Sequence, residues 1–456
     1  MFSHGLLLAL FPKDRSRGEL VPSLGVIYKG IKMNKKSLVS IGKGGLLDRR
    51  SFLLSGLAMT AAAPLSSLAS DENIASDLPV WMKTPGASPS AYGQPSESEN
   101  HIKRHKAADT PQTQLFSVWH SPIENQPGII TPNGLHFTVN HNGVPNIDPA
   151  QHELKIHGLV NKPIKFNMQS LQRYPLVSPI HFLECAGNTA PNAVSLTALD
   201  LTCQELSGQV SGAQYSGVPL KYLLQEAGVK AGGKWVIAEG ADGGSHARSI
   251  PLEKLLDDAF IALYQNGERL RPEQGYPMRL FVPGWEGNAN VKWLHRLEVT
   301  DQPAFTKDES GLYSDILNNG KIQRFSFHMD VKSVVTQPSG KMLLPEQKGF
   351  YEIAGLAWSG YGKIKMVEVS VDGGDSWVQA HLHGPVLSKA LTRFSIPWQW
   401  DGKERVIMSR ATDEHGRVQP TRSVWRDKYA SYSFNHYNAI QAWAVNSGGR
   451  VENYYA

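Results

Sequence analysis

The chain has 456 residues, 41% hydrophobic and 19% charged, which fits a soluble globular protein large enough for two or three domains. Its 42 glycines, 28 prolines and 11 tryptophans favour loops and strands over helices, and no apolar run is long enough to span a bilayer. The formal charge of +5 belongs to the first 69 residues; without them 36 basic and 38 acidic side chains remain, so charge gives no argument for a nucleic-acid partner.

Residues 1–69 read as export information. Asp48-Arg49-Arg50-Ser51-Phe52-Leu53 opens an apolar run to Ala63, followed by Ser67-Leu68-Ala69, a small-residue cleavage site. Paired arginines before Phe-Leu indicate the twin-arginine route to the periplasm, which carries folded proteins and suits an enzyme loaded with its cofactor beforehand. Met33-Asn34-Lys35-Lys36 makes a better charged beginning than Met1. Residues 70–114 are rich in Ser, Pro, Ala and Asn without periodicity and read as an extended arm.

A first domain is expected over residues 115–328. It opens with short strands and turns around Phe137, Asn140 and His141. Leu154–Leu159 alternates as a strand. The apolar run after Pro179 reads as a buried strand ending at Glu184-Cys185-Ala186-Gly187-Asn188, which puts Cys185 where a rigid strand meets a turn. Cys203 is the other cysteine. On its own, Cys185 reads as a small buried hydrophobe, as half of a disulfide with Cys203, or as a soft metal ligand.

A helix follows at Leu220–Ala227 and a strand at Trp235–Ala238. The glycines of Gly240-Ala241-Asp242-Gly243-Gly244 match neither the dinucleotide nor the P-loop spacing. Arg279 and Lys292, each placed at a strand end among Pro/Gly turns, supply a fork and a point charge suited to a phosphate. From residue 329 the texture changes to short alternating runs, with a hairpin around Asp372-Gly373-Gly374-Asp375, the pattern of an immunoglobulin-like sandwich over 329–430 without its disulfide. A C-terminal tail, 431–456, is expected to pack back on the first domain.

The Glu-Cys-Ala-Gly-Asn motif, with the Gly275–Gly284 and Asn290–Leu294 segments and Gly311-Leu312-Tyr313-Ser314, resembles the sulfite oxidase family of molybdenum enzymes across roughly residues 115–445. Trp81–Gly86, Gly128–Phe137 and Leu263–Leu270 are similar to its sulfane dehydrogenase branch, the SoxC-type molybdenum subunits. The resemblance implies an α+β fold: a molybdopterin domain followed by a sandwich dimerisation domain. It makes Cys185 the molybdenum ligand. Phe137, Asn140, His141, Asp242, Gln274, Arg279, Asn290 and Lys292 contact the pterin cofactor, and Tyr313 and His436 act at the metal. The family often has His where Gln274 stands.

The departures bear on substrate. At positions where sulfite oxidases place arginines around the oxyanion, this chain has Val139, Ala190 and His436. Each charge-assisted bond contributes about 1.5–3 kcal/mol, so free sulfite is disfavoured relative to sulfane sulfur on the cysteine of a carrier protein. The expected partners are that carrier and a c-type cytochrome subunit, since two cysteines and no Cys-x-x-Cys-His leave no haem or iron–sulfur site of the chain's own. A homodimer or heterotetramer is implied by the family. The rival readings are a periplasmic sulfite dehydrogenase, a reductase running oxygen transfer the other way, and, from another class, a metal-free periplasmic binding protein.

Overall fold

The computed structural model describes residues 44–46, 78–109, 115–345 and 348–456. The arginine pair, the cleavage site and Met33 lie outside the described residues.

Alternation builds the first domain's mixed sheet. Trp235–Gly240 and Glu153–Gly158 turn alternate side chains to a core shared with helix Leu220–Ala227. That helix buries Leu220, Leu223, Leu224 and Ala227 along one stripe and stops at Gly228, whose φ of 69° suits glycine. The strand order is Ile164–Asn167, Glu153–Gly158, Leu294–Thr300, Trp235–Gly240, Ala247–Pro251, with the second and third parallel. A second, antiparallel sheet runs from Glu268–Arg269 through Phe260–Gln265 and Val210–Pro219 to Ile180–Glu184, with Arg279–Phe281 also paired to Phe260–Gln265. The end of the expected arm is not free: His105–Asp109 is the outer strand of a third sheet with Ser117–His120 and Thr138–Asn140.

The sandwich has a four-stranded sheet, Lys332–Gln337, Gly349–Trp358, Thr392–Trp400 and His381–Leu382, facing a five-stranded one. The second sheet runs Val378–Gln379, Ile364–Ser370, Arg405–Asp413, Ala442–Val445, Val451–Tyr454. The boundary expected at 430 therefore leaves out two strands of this sheet. Trp443 is fully buried in the core that the sandwich shares with Phe182, Leu206 and Val210 of the first domain. The tail also reaches the first domain as expected: Ser433 Oγ donates to the Ile316 carbonyl and the His436 amide to that of Ala186, Gln441 Oε1 accepts Asn192 Nδ2, and Asn453 Nδ2 donates to the Leu199 carbonyl.

Cys203 is free and lies in the core that joins the sandwich to Phe182, Leu206 and Val210 of the first domain, while Cys185 is free at the cleft described next. Burial pushes the Cys203 thiol well above its usual range, which leaves it a packing residue.

Candidate molybdopterin and metal site

A cleft of about 680 Å³ opens over the ends of these strands. It collects most of the residues singled out in the sequence: Phe137, Asn140, His141, Cys185, Asp242, Gln274, Arg279, Asn290, Lys292 and Tyr313 all line it, with Val139 on the wall. Two expected residues stand elsewhere. Ala190 begins a short helix, Ala190–Val194, and does not line the cleft. His436 is buried behind it, with Nε2 3.2 Å from Glu286 Oε2.

Cys185 is placed by a turn. Its amide donates to the Gln209 carbonyl at 3.0 Å and its carbonyl accepts from the Asn188 amide at 3.0 Å. Burial, with Glu286 and Glu184 near, pushes its thiol up to about 11. A thiol in such a place becomes a thiolate by binding a cation, which is what a metal supplies. Among the described residues no group of three or more His, Cys, Asp or Glu is arranged to hold a metal ion. One thiolate from the chain therefore fits a metal whose other donors come with the cofactor.

Another part of the cleft is built for an anion. Arg279, 2% exposed, donates Nη1 to the Gln274 carbonyl at 3.2 Å and Nη2 to that of Asn290 at 2.8 Å, and its Nε is buried without a partner. Lys292 Nζ contacts the Val139 carbonyl, Asn140 Oδ1, the Glu273 carbonyl and Thr138 Oγ1, all uncharged acceptors. Burial brings Arg279 down to about 10, and burial plus Arg279 brings Lys292 down to about 7. Two enclosed cations without a bonded carboxylate are costly unless an anion joins them. The pair thus fits a cofactor phosphate. Lys292 reaches it from the loop between the 3-10 turn Gly287–Ala289 and strand Leu294–Thr300, not from a strand end; Arg279 does begin a strand.

Other positions are held more by the protein than expected. Asn290 Oδ1 accepts the Val282 amide at 2.7 Å and its Nδ2 donates to the carbonyls of Trp285 and Glu286, so its amide braces the loop. Gln274 Nε2 donates to the Phe137 carbonyl at 3.0 Å. Asp242 accepts the His246 amide at 3.0 Å and Asn142 Nδ2 at 3.2 Å, closing the glycine-containing loop on itself.

Three residues escape the sequence reading. His246 lines the cleft, stacks on His141 with centroids 5.9 Å apart, and places Nδ1 3.4 Å from Asp308 Oδ2. Asn288 lines it too, and its carbonyl lies 3.0 Å from His246 Nε2. Arg248, fully buried, holds Glu309 (Nε to Oε1, 2.6 Å) and Glu286 (Nη2 to Oε1, 3.0 Å) and lies over the Tyr313 ring at 4.8 Å. Glu309 belongs to the π-helix Asp308–Leu312 immediately before Tyr313, so Arg248 fixes the loop that aims the phenol. Despite its burial, Arg248 and His436 hold Glu286 at about 2. Only the Asp242-to-His246 spacing on one short loop hints at any of this.

Comparison with known proteins agrees with this geometry. The family model described as oxidoreductase molybdopterin binding domain matches residues 141–307, and the Mo-co oxidoreductase dimerisation domain matches 323–441. The crystal structure of the sulfane dehydrogenase SoxCD from Paracoccus pantotrophus is 40% identical with a TM-score of 0.81, covering 85% of this chain and 100% of that one. Mitochondrial sulfite oxidase of Mus musculus is 29% identical over 73% of this chain and 65% of that protein. A nitrate reductase [NADH] of Cichorium intybus is 32% identical over 66% of this chain, which spans 37% of the reductase. With the cysteine turn, the cation pair and both domain models in agreement, the chain belongs to the sulfite oxidase family of molybdopterin oxidoreductases, in its SoxC-like part.

Proposed function

We propose that the protein is an exported, periplasmic molybdenum enzyme that oxidises a sulfur substrate, the sulfane sulfur of a thiosulfate intermediate carried on another protein's cysteine. It passes electrons to a c-type cytochrome subunit. The observation that carries this reading is the uneven charge of the cleft. Its two cations, Arg279 and Lys292, suit the cofactor phosphate, and the other side chains that line it with Cys185 include Val139, Tyr313 and the His141–His246 stack. A free dianion finds no arginine fork there, whereas a sulfur delivered on a peptide needs none.

When bound, the molybdenum cofactor supplies the oxygen transfer and takes up the electrons. Oxidation with an oxygen from water releases two electrons and two protons. The chain's own groups orient and carry protons. Burial and the nearby Cys185 push the Tyr313 phenol well above its usual range, so it stays a hydrogen-bond donor. Its Oη lies 3.3 Å from His141 Nε2. Burial and the adjacent His246 lower His141, which keeps it neutral and able to accept a proton leaving the cleft.

The test is molybdenum analysis of the exported protein, with turnover of carrier-bound sulfane sulfur and of free sulfite compared using cytochrome c as acceptor. Near-stoichiometric metal and preference for the carrier-bound substrate are expected. Efficient turnover of free sulfite overturns the substrate assignment in favour of a sulfite dehydrogenase, and metal-free protein from a host that makes the cofactor overturns the enzyme reading.

A further inference from the structure

Directly behind the cleft, the residue preceding Cys185 is gripped from the other domain. Glu184 is fully buried. Its Oε1 accepts Lys332 Nζ at 3.0 Å and Asn188 Nδ2 at 2.9 Å, and its Oε2 accepts Trp358 Nε1 at 2.6 Å. Lys332 and Trp358 sit opposite each other on the first two strands of the sandwich. The same ammonium donates to Thr189 Oγ1 at 3.0 Å. Thr189 closes the cysteine turn with φ at 71°, a left-handed conformation that a threonine keeps only where its surroundings hold it.

We propose that Glu184 is a positioning residue for Cys185, and that the sandwich domain, through Lys332 and Trp358, is part of the metal site as well as an assembly domain. This rests on the reading of Cys185 as the metal ligand. Carboxylate, ammonium and indole N–H satisfy one another in a dry interface where charge-assisted bonds are short and directional. Asn188 adds a second tie: it bonds Glu184 with one end of its amide and accepts the Gln209 amide with the other. Two otherwise unassigned residues of the Glu-Cys-Ala-Gly-Asn motif thereby acquire a role, to hold the backbone on both sides of the sulfur. Movement at the sandwich is transmitted to that backbone without passing through the cleft.

The experiment measures, in full-length protein, amide hydrogen exchange of the peptide 184–190 in the cofactor-free form, and molybdenum per chain after dialysis. Lys332→Met is expected to speed exchange of that peptide at least tenfold and to lower retained molybdenum at least fivefold. Trp358→Phe, which removes one bond and no charge, is expected to give a smaller change of the same sign and stands in if Lys332→Met does not fold. Arg410→Met, breaking a sandwich ion pair with Glu368 remote from the turn, is expected to leave the peptide unchanged. The double variant Glu184→Gln with Lys332→Met carries no unpaired charge, so its thermal midpoint recovers. If Glu184 positions the cysteine, metal retention stays low in that variant. Recovery of metal together with the midpoint, or exchange of 184–190 unchanged in Lys332→Met and Trp358→Phe, overturns the proposal. Wild-type protein that holds no molybdenum overturns the cofactor reading instead, while exchange of 184–190 still tests the grip by itself.

Discussion

Tyr313 Oη and His141 Nε2 lie 3.3 Å apart across the cleft, joining a loop set by a π-helix to the end of a strand 172 residues earlier. Neither residue is placed by its own neighbourhood alone; the pair exists because Arg248 holds one side and His246 stacks behind the other. Replacing Tyr313 by Phe removes the donor and keeps the ring. Turnover is expected to fall by about 10²-fold, the usual cost of one lost donor at a reacting oxygen, with molybdenum content unchanged. Steady-state kinetics beside metal analysis checks it.

Cys185→Ser is expected to abolish retained molybdenum while leaving the thermal midpoint of the cofactor-free protein close to wild type. The side chain is only partly buried, and serine nearly matches its volume. Elemental analysis and calorimetry of the two proteins side by side decide it.

The cation pair has opposite effects in loaded and cofactor-free protein. In the cofactor-free state Lys292 is lowered to about 7 by burial and by Arg279. Between pH 7 and its unfolded value of 10.5 the unfolded chain binds the proton and the folded one does not, so stability rises as pH rises across that window. Lys292→Met is expected to remove this rise and to stabilise cofactor-free protein at pH 7. The same change is expected to weaken cofactor retention by about ten- to hundredfold, from one lost charge-assisted contact. Melting curves at pH 7 and 9.5, with and without cofactor, separate the two.

Arg248 is the keystone of a buried cluster with Glu309, Glu286 and His436. Arg248→Met leaves Glu309 and Glu286 without their shared cation. A loss on the order of 3–5 kcal/mol is expected from breaking a buried pair by removing one partner, read as a shift of the urea midpoint. Adding Glu309→Gln is expected to restore part of that loss.

Acid is expected to weaken the fold through histidines that are buried neutral. His136 is brought down to about 3 and His120 to about 4, in both cases by burial. His136 donates Nδ1–H to the Phe137 carbonyl and accepts the Tyr215 hydroxyl at Nε2, so it has no room for a second proton. Both groups charge near 6.5 in the unfolded chain, so the stability tied to their neutral forms is complete above that value and is lost as pH falls toward 4. At about 1.4 kcal/mol per pH unit, each contributes a loss on the order of 3 kcal/mol by pH 4. Chemical denaturation between pH 7 and 4 gives the slope, and His136→Gln is expected to flatten it.

Much of this is legible in the sequence because it is local. The helix Leu220–Ala227 announces itself by its apolar stripe and by Gly228, and Cys185 by the strand and turn around it. Arg279 and Lys292 are readable because their environment is a run of Pro/Gly turns, although the loop bearing Lys292 reads as a strand end. What cannot be read are pairings across long separations: Glu184 with Lys332 at 148 residues, Arg248 with Glu309 at 61. No spacing rule marks those partners, since each becomes a partner only when two sheets close on it. The two C-terminal strands escape for the same reason. Ala442–Val445 has no clean alternation, being buried on nearly all sides against Arg405–Asp413.

Those two strands, Ala442–Val445 and Val451–Tyr454, follow every other described element in the order of synthesis, and Arg405–Asp413 lacks a neighbour on that edge until they arrive. His436, which braces the backbone at Ala186, comes just ahead of them. Neither the sandwich nor the bracing of the cysteine turn can therefore be complete before residues 436–454 have been synthesised.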